Sequence, residues 1–208
     1  MLYNKEEISL MSNAIQQNMR KKVLVEPFQH IVQDFFTADH FQGKHVVDLG
    51  PGQCDFLDIA KRCGAITYGV DFDPCVTQLG KLRGHNMADA QNFQESWPYE
   101  QNMFDGIFCR GSLNYFTTIK DGPQDAIAFL ARLFSSLKPD GWIWIAPWAK
   151  FSQEQTDISS EVFTLVHSFL KKHGVIVAVP SKGAIIHYGV NYVIPRIEIW
   201  IKNLHQFS

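Results

Sequence analysis

Short β-rich runs alternate with helical patterns along the middle of this sequence, and this alternation limits the folds that the chain can adopt. The β-rich runs lie at residues 45–49, 66–70, 106–109 and 141–146. Helical patterns lie between them at residues 55–63, 73–84 and 123–137. The second helical pattern begins with Asp73 and Pro74, the residue types of a helix N-cap and first turn. Because strands that alternate with helices usually pair in parallel, we predict an α/β fold with a mostly parallel sheet and helices on both faces.

The two ends of the chain predict additions to this alternating core. Residues 1–40 carry apolar side chains at helical spacing and predict an N-terminal helical cap. A helix near residues 160–172 precedes β-rich runs at 175–179 and 194–202, which predict an antiparallel terminal hairpin. Because 208 residues is an ordinary length for one domain, we predict a single domain, 1–208, with a cap (1–40), a central core (41–147) and a C-terminal part (148–208).

Composition argues against a charge-driven partner. The chain has 19 Lys and Arg against 21 Asp and Glu, so its formal net charge of −2 gives no strong field to attract nucleic acid or an anionic membrane. Its four cysteines form no C-x-x-C pair, and we interpret them as reduced thiols, with no metal site expected. The first residues lack the apolar core of a secretory signal. We therefore expect a cytoplasmic protein with no nucleic-acid or membrane partner. Whether the chain forms a homodimer is left open.

A glycine-rich loop joins the first predicted strand to its helix. The segment Asp48-Leu-Gly50-Pro51-Gly52 lies where open α/β sheets bind ligands, beyond the carboxyl ends of the strands. Glycines let the backbone turn tightly and come close to a ligand, and the following helix presents free N–H groups. A plain tight turn is the alternative for this loop taken alone.

Asp71 ends the second predicted strand, 21 residues after Gly50. An acidic side chain at this spacing accepts hydrogen bonds from ribose hydroxyls in dinucleotide-binding sheets, so the loop and Asp71 together predict an adenosine-containing cofactor. Asp55, however, stands where the dinucleotide pattern G-x-G-x-x-G needs its last glycine. A carboxylate is unfavourable beside a pyrophosphate but tolerable beside a cationic reactive centre, which favours S-adenosylmethionine over NAD.

Four segments occur in a fixed order: Asp-Leu-Gly-Pro-Gly at 48–52, Gly-Val-Asp at 69–71, Phe-Asp-Gly-Ile at 104–107 and Leu-Lys-Pro-Asp-Gly at 137–141. In these segments the chain resembles the class I S-adenosylmethionine-dependent methyltransferases, although Cys54 replaces the third glycine of the family loop. The resemblance implies a Rossmann-like three-layer sandwich with a seven-stranded, mostly parallel sheet of strand order 3-2-1-4-5-7-6. The terminal strand of that sheet is antiparallel.

The same resemblance implies cofactor contacts, residue by residue. The methionine part of the cofactor would be lined by Asp48, Gly50, Pro51 and Gly52. The end of the predicted strand at 106–109, which is strand 4 of that order, would pass beside it at Cys109, Arg110 and Gly111. Asp71 would hold the ribose hydroxyls, and Phe72 would lie against the adenine unless it belongs to the core. The adenine edge is matched by Asp89 and Ala90, with Asn92 and Phe93 as the alternative.

Three residues follow the ends of the predicted strands at 106–109 and 141–146 and are candidates for contact with the methyl acceptor: Asn114, Tyr115 and Trp148. They should face the crevice at the carboxyl ends of the strands. Aromatic packing under a lid is the alternative for Tyr115 and Trp148. Because methyl transfer is an in-line displacement, positioning can supply much of the catalysis, and no catalytic base is assigned.

The leading hypothesis is an S-adenosylmethionine-dependent methyltransferase with a small-molecule acceptor. The alternative from another class is a non-catalytic S-adenosylmethionine-binding scaffold or regulatory subunit, because a fold does not fix a function. A nicotinamide-dependent oxidoreductase is a third hypothesis, which Asp55 and the absence of a Tyr-x-x-x-Lys pair disfavour.

Overall fold

The computed structural model describes Ser9 and residues 36–88, 97–110, 123–146, 177–179, 184–187, 190–193 and 196–200. These residues fall into two compact units. The first unit runs to Pro98 and includes a later segment, Ala184–Tyr192, and the second unit takes the described residues between and after these two stretches. The prediction of one domain over residues 1–208 stays a prediction.

Three parallel strands form the sheet of the first unit. They are β1 (His45–Leu49), β2 (Ile66–Val70) and β3 (Asn86–Met87), in the order β3-β2-β1. Residues 46 to 49 of β1 are all buried, as expected for a strand that is covered on both faces. The observed bounds of β1 and β2 are those that the sequence predicts.

Two helices connect these strands. Helix α1 (Asp55–Arg62) packs on β1 and β2, and helix α2 (Pro74–Leu82) packs on β2 and β3. The Asp73 side chain accepts a hydrogen bond from the N–H of Cys75 at 2.8 Å, which confirms the predicted cap of α2. A short 3-10 helix, Ala38–His40, precedes β1.

The second unit begins with two parallel strands, β4 (Phe104–Arg110) and β5 (Leu137–Ala146), which helix α3 (Pro123–Ser136) connects. Strand β9 (Arg196–Trp200) pairs with β5 in the antiparallel sense, and β6 (Val177–Val179) pairs with β9, also antiparallel. The predicted antiparallel strand at the C-terminal end is therefore confirmed.

Strands β7 (Ala184–His187) and β8 (Val190–Val193) form a separate two-stranded sheet. The predicted N-terminal cap and the predicted helix near residues 160–172 lie outside the described residues, apart from Ser9 and the last residues before β1. With five parallel strands and helices in the connections between them, the predicted Rossmann-like α/β fold is confirmed.

Strand β5 begins four residues earlier than the sequence predicts, at Leu137 rather than Gly141. The pairing with β4 shifts in this stretch, because Phe104 is opposite Leu137 while Gly106 is opposite Trp142. Asp140 has a positive φ of 64° within the shifted segment. The Lys-Pro-Asp-Gly sequence therefore forms an irregular, bulged segment at the start of β5.

Aromatic side chains fill the core of the second unit. Trp142 and Trp144 are buried on β5, and the Trp144 ring stacks on Phe108 of β4 with a centroid distance of 4.5 Å. Phe129 and Leu133 are buried on α3. Within the described residues, no helix is both long and apolar enough to cross a bilayer.

Candidate cofactor site

In the glycine loop after β1, every second residue from 50 to 54 has a left-handed backbone conformation. Gly50, Gly52 and Cys54 have φ values of 70°, 53° and 64°. The N–H of Gly50 donates to the Val70 carbonyl at 2.9 Å, and the N–H of Cys54 donates to the Pro51 carbonyl at 2.8 Å. The loop is thus tied to the end of β2 on one side and closed on itself before α1 on the other.

Gly52 faces open space. Among the described residues, none beyond the chain neighbours of Gly52 has an atom within 4 Å of a Cβ built at this position, and the φ of 53° already disfavours a side chain. The bare backbone is therefore accessible from this side. A bound group could approach the loop closely here only as long as no side chain fills the space.

Asp71 lies directly after β2 and is 5% exposed. Its carboxylate accepts a hydrogen bond from the N–H of Asp73 at 2.9 Å, and the N–H groups of Gly52 and Phe72 also interact with it and lower its pKa. Burial has the largest effect and raises the pKa of Asp71 above its ordinary value. The structure therefore brings together the glycine loop and the acid that sequence spacing singled out.

Phe72 is 65% exposed. The alternative that it belongs to the core is therefore wrong. Phe72 follows Asp71 in the sequence, so its ring offers an exposed apolar surface next to the residue that is predicted to contact the ribose. An adenine ring could cover such a surface by stacking.

Cys54 and Asp48 lie together beneath the loop. Both are buried, and the Cys54 side chain is fully inaccessible to solvent. Burial raises the pKa of the Cys54 thiol, and the nearby charge of Asp48 raises it further, so the thiol is protonated at neutral pH. The small side chain that replaces the family's third glycine is packed inward under the left-handed backbone.

A network of charged and polar side chains supports the loop, and the sequence analysis missed it. Arg83, the residue after α2, donates through Nη1 to the carbonyl of Gln53 at 3.0 Å and to the Asp58 carboxylate on α1. His85 lies between Asp58 and Thr67, with its ring nitrogens 3.0 Å and 2.8 Å from their side-chain oxygens. No local motif could reveal these pairs, because their members are separated by 18 to 30 residues along the chain.

The remaining predicted site residues have different outcomes. Cys109 and Arg110 end β4, as predicted, with Cys109 buried and Arg110 half-buried. The other predicted residues lie outside the described part of the chain: Asp89, Ala90, Asn92, Phe93, Gly111, Asn114, Tyr115 and Trp148. Their roles stay predictions.

The four cysteines are reduced thiols, as their spacing indicated, and none of them forms a disulfide. Among the residues that the structure describes, no three His, Cys, Asp or Glu side chains gather as metal ligands would.

The donors and acceptors of the first unit fit an adenosine-linked sulfonium. A buried carboxylate suits ribose hydroxyls, an exposed aromatic ring suits adenine, and an open glycine backbone suits close approach. The carboxylates of Asp48, Asp55 and Asp58 raise the pKa of Cys54 and the Arg83 guanidinium lowers it, so three negative charges and one positive charge lie near the loop, and their sum is negative. That charge is compatible with a cation and unfavourable for a pyrophosphate.

Comparison with known proteins agrees with this fit. A family model described as a methyltransferase domain matches residues 16–183. The chain belongs to this methyltransferase family. The resemblance to class I S-adenosylmethionine-dependent methyltransferases is thereby confirmed, and S-adenosylmethionine is the cofactor.

One curated relative of this methyltransferase is phosphoethanolamine N-methyltransferase 2 of Caenorhabditis elegans. It is 22% identical over 167 residues, which cover 77% of this chain and 37% of the relative. The chain therefore spans little more than a third of the length of that protein.

Solved structures show the same fold. A TehB-like S-adenosylmethionine-dependent methyltransferase from Corynebacterium glutamicum is 15% identical, with a TM-score of 0.62 and coverage of 96% of this chain and 100% of that chain. Magnesium protoporphyrin IX methyltransferase from Synechocystis, with bound S-adenosylmethionine, is 14% identical, with a TM-score of 0.60 and coverage of 92% and 85%.

Proposed function

We propose that this methyltransferase transfers a methyl group from S-adenosylmethionine to a small-molecule acceptor, and that the first unit holds the cofactor through the glycine loop and Asp71. The observation that carries the proposal is the contact between the Asp71 carboxylate and the N–H of Gly52, beside a backbone that is open at Gly52. A plain tight turn has no need of a buried acid at the tip of the neighbouring strand.

Each described residue has a defined part in this proposal. Asp71 accepts hydrogen bonds from the two ribose hydroxyls, and backbone N–H groups hold its carboxylate in place for that contact. Phe72 stacks on the adenine, and the backbone from Gly50 to Gly52 lies along the methionine part. When bound, S-adenosylmethionine supplies an electrophilic methyl group on a sulfonium.

The acceptor side rests on sequence position and charge. Asn114, Tyr115 and Trp148 remain our candidates for acceptor contact, because they follow the ends of β4 and β5. A net charge of −2 gives no general attraction to nucleic acid. The name of the curated relative specifies a small-molecule acceptor, phosphoethanolamine, which supports the acceptor class only.

Methyl-labelled S-adenosylmethionine tests this proposal. The full chain is incubated with the labelled cofactor and, in separate reactions, with a small-molecule extract, a protein fraction and a nucleic-acid fraction. We expect label in the small-molecule reaction, and a catalytically dead control such as Gly52→Val should transfer none. Label confined to protein or nucleic acid would contradict the acceptor class. Tight cofactor binding without any transfer would favour the non-catalytic scaffold.

Three further expectations stay predictions from the sequence: a cytoplasmic location, no nucleic-acid partner, and a homodimer as an open possibility for the assembly.

A further inference from the structure

Arg83 connects the end of one helix to the loop before another. It follows α2 and donates through Nη1 to the Gln53 carbonyl at 3.0 Å. Its side chain is 9% exposed, and the same nitrogen also contacts the Asp58 carboxylate on α1. A charged donor that is largely shielded from solvent makes a strong hydrogen bond, and this bond has a well-defined geometry.

The carbonyl that Arg83 contacts belongs to the peptide between Gln53 and Cys54. Cys54 has a φ of 64°, a left-handed conformation that costs free energy in any residue except glycine. Such a conformation persists where the surroundings over-determine it. By fixing the preceding peptide, the Arg83 hydrogen bond helps hold Cys54, and with it the alternating left-handed loop.

Other side chains hold the Arg83 guanidinium in place. The Asp58 carboxylate accepts a hydrogen bond from the guanidinium and also contacts His85, and the other ring nitrogen of His85 lies 2.8 Å from the Thr67 hydroxyl. The guanidinium therefore has little freedom to leave the loop. The Lys61 ammonium contacts only the backbone of this turn, where it donates to the carbonyl of Arg83 at 2.9 Å and to that of the next residue at 3.0 Å.

We propose that Arg83 is a positioning residue for cofactor binding, which sets the conformation of the glycine loop through the Gln53 carbonyl without touching the cofactor. This inference rests on the proposed function, because the loop is the proposed cofactor contact. The Asp58 carboxylate and His85 hold the guanidinium in place for this role. Substitution of Arg83 should weaken cofactor binding beyond any loss that a general drop in stability explains.

Calorimetric titration of the full chain with S-adenosylmethionine and with S-adenosylhomocysteine tests the proposal. In Arg83→Met the Kd for both ligands should rise about tenfold, the loss that corresponds to one charge-assisted hydrogen bond. The ratio of the two Kd values should not change, because the thioether lacks the sulfonium charge and a loop-geometry effect acts on both ligands alike. A purely electrostatic effect of losing the Arg83 charge would change that ratio instead, and would overturn the proposal.

Lys61→Met is the matched control. It removes two hydrogen bonds from the same turn but leaves the bond between Arg83 and the loop. We expect a fall in Tm with no measurable change in Kd. Arg83→Lys, which keeps one charged donor, should have a Kd between those of the wild type and Arg83→Met.

The outcomes separate the two proposals. An Arg83→Met Kd equal to that of the wild type overturns the positioning role alone, and a Kd that rises equally in Lys61→Met reduces it to general stability. If Arg83→Met does not fold, Arg83→Gln is judged by the same criteria. A wild-type chain that binds neither ligand overturns the proposed function and the positioning role together.

Discussion

At the scale of single residues, Asp71 faces opposite demands from stability and binding. Burial raises the pKa of its carboxyl group, so the folded chain favours the protonated form more than the unfolded chain does. The stability that this shift contributes is present at low pH and is lost as pH rises through the folded-state pKa. Ribose binding needs the ionised form as an acceptor. The folded chain therefore gives up stability at neutral pH to present this group.

Asp71→Asn should separate these two effects. At neutral pH we expect the cofactor affinity to fall by about 1.5 to 3 kcal/mol, the range for a hydrogen bond to a charged group. The free energy of unfolding without ligand should not fall, because the buried charge is gone while an oxygen remains for the N–H of Asp73. Calorimetry and urea denaturation measure the two quantities. Unchanged affinity would remove Asp71 from the site.

The pH dependence of binding gives a second measurement on the same group. Wild-type affinity should fall as pH is lowered through the pKa of Asp71, and the fall should start at a higher pH than an ordinary aspartate would give. The Asp71→Asn variant should lack this dependence. A wild-type profile that is flat over the acidic range would mean that protonation of Asp71 does not affect binding.

Gly52→Val tests the open approach to the loop, and Gly43→Val is its control. Both glycines have a positive φ, 53° and 69°, and a Cβ at either would meet no atom within 4 Å from the described residues beyond its chain neighbours. Each variant should therefore lose at least about 1 to 2 kcal/mol of stability from the left-handed backbone alone. Only Gly52→Val should lose cofactor binding in calorimetry. Tight binding by Gly52→Val would show that the loop is only a turn.

At the scale of elements, Gly106 shows that a motif glycine can serve packing. It lies in β4, and a Cβ there would clash with the Trp142 ring on β5. Gly106→Ala should therefore destabilise the chain by about 1 to 3 kcal/mol, the usual cost of overpacking. Urea denaturation of Gly106→Ala, Trp142→Leu and the double variant measures the coupling. We expect Gly106→Ala to cost much less free energy of unfolding in the Trp142→Leu background than in the wild type. If the free-energy changes of the two single variants simply add in the double variant, this packing role is contradicted.

The elements also show where sequence patterns succeed and where they fail. The bounds of β1 and β2 follow from local features: β1 is a run of apolar residues that ends at the Gly50 turn, and β2 lies between the glycine turn at Gly64 and the helix start at Asp73. The predicted start of β5 was wrong. Lys-Pro-Asp-Gly consists of residues typical of a turn, but the strand already begins at the residue before them. Lys138 in that stretch pairs with Asp105 at 2.8 Å, a contact across 33 residues that no local pattern contains.

At the scale of the whole molecule, the same distinction applies to the site. The loop, Asp71 and the cofactor class could be predicted because topology places the ends of neighbouring parallel strands at one edge. The role of Arg83 could not, because it depends on which side-chain atoms meet across two helices. The exposure of Phe72 was equally beyond the sequence, since a phenylalanine at a strand end suits a core and a ligand surface alike.

The protonated thiol under the glycine loop has a chemical consequence for an enzyme that handles a methyl donor. Thiolates are strong nucleophiles, and one facing an electrophilic sulfonium would risk self-alkylation. Burial shields Cys54 from solvent and raises the pKa of its thiol, the nearby charge of Asp48 raises that pKa further, and the sulfur stays in the poorly reactive protonated form. Burial of this thiol thus lowers the risk that a bound methyl donor alkylates it.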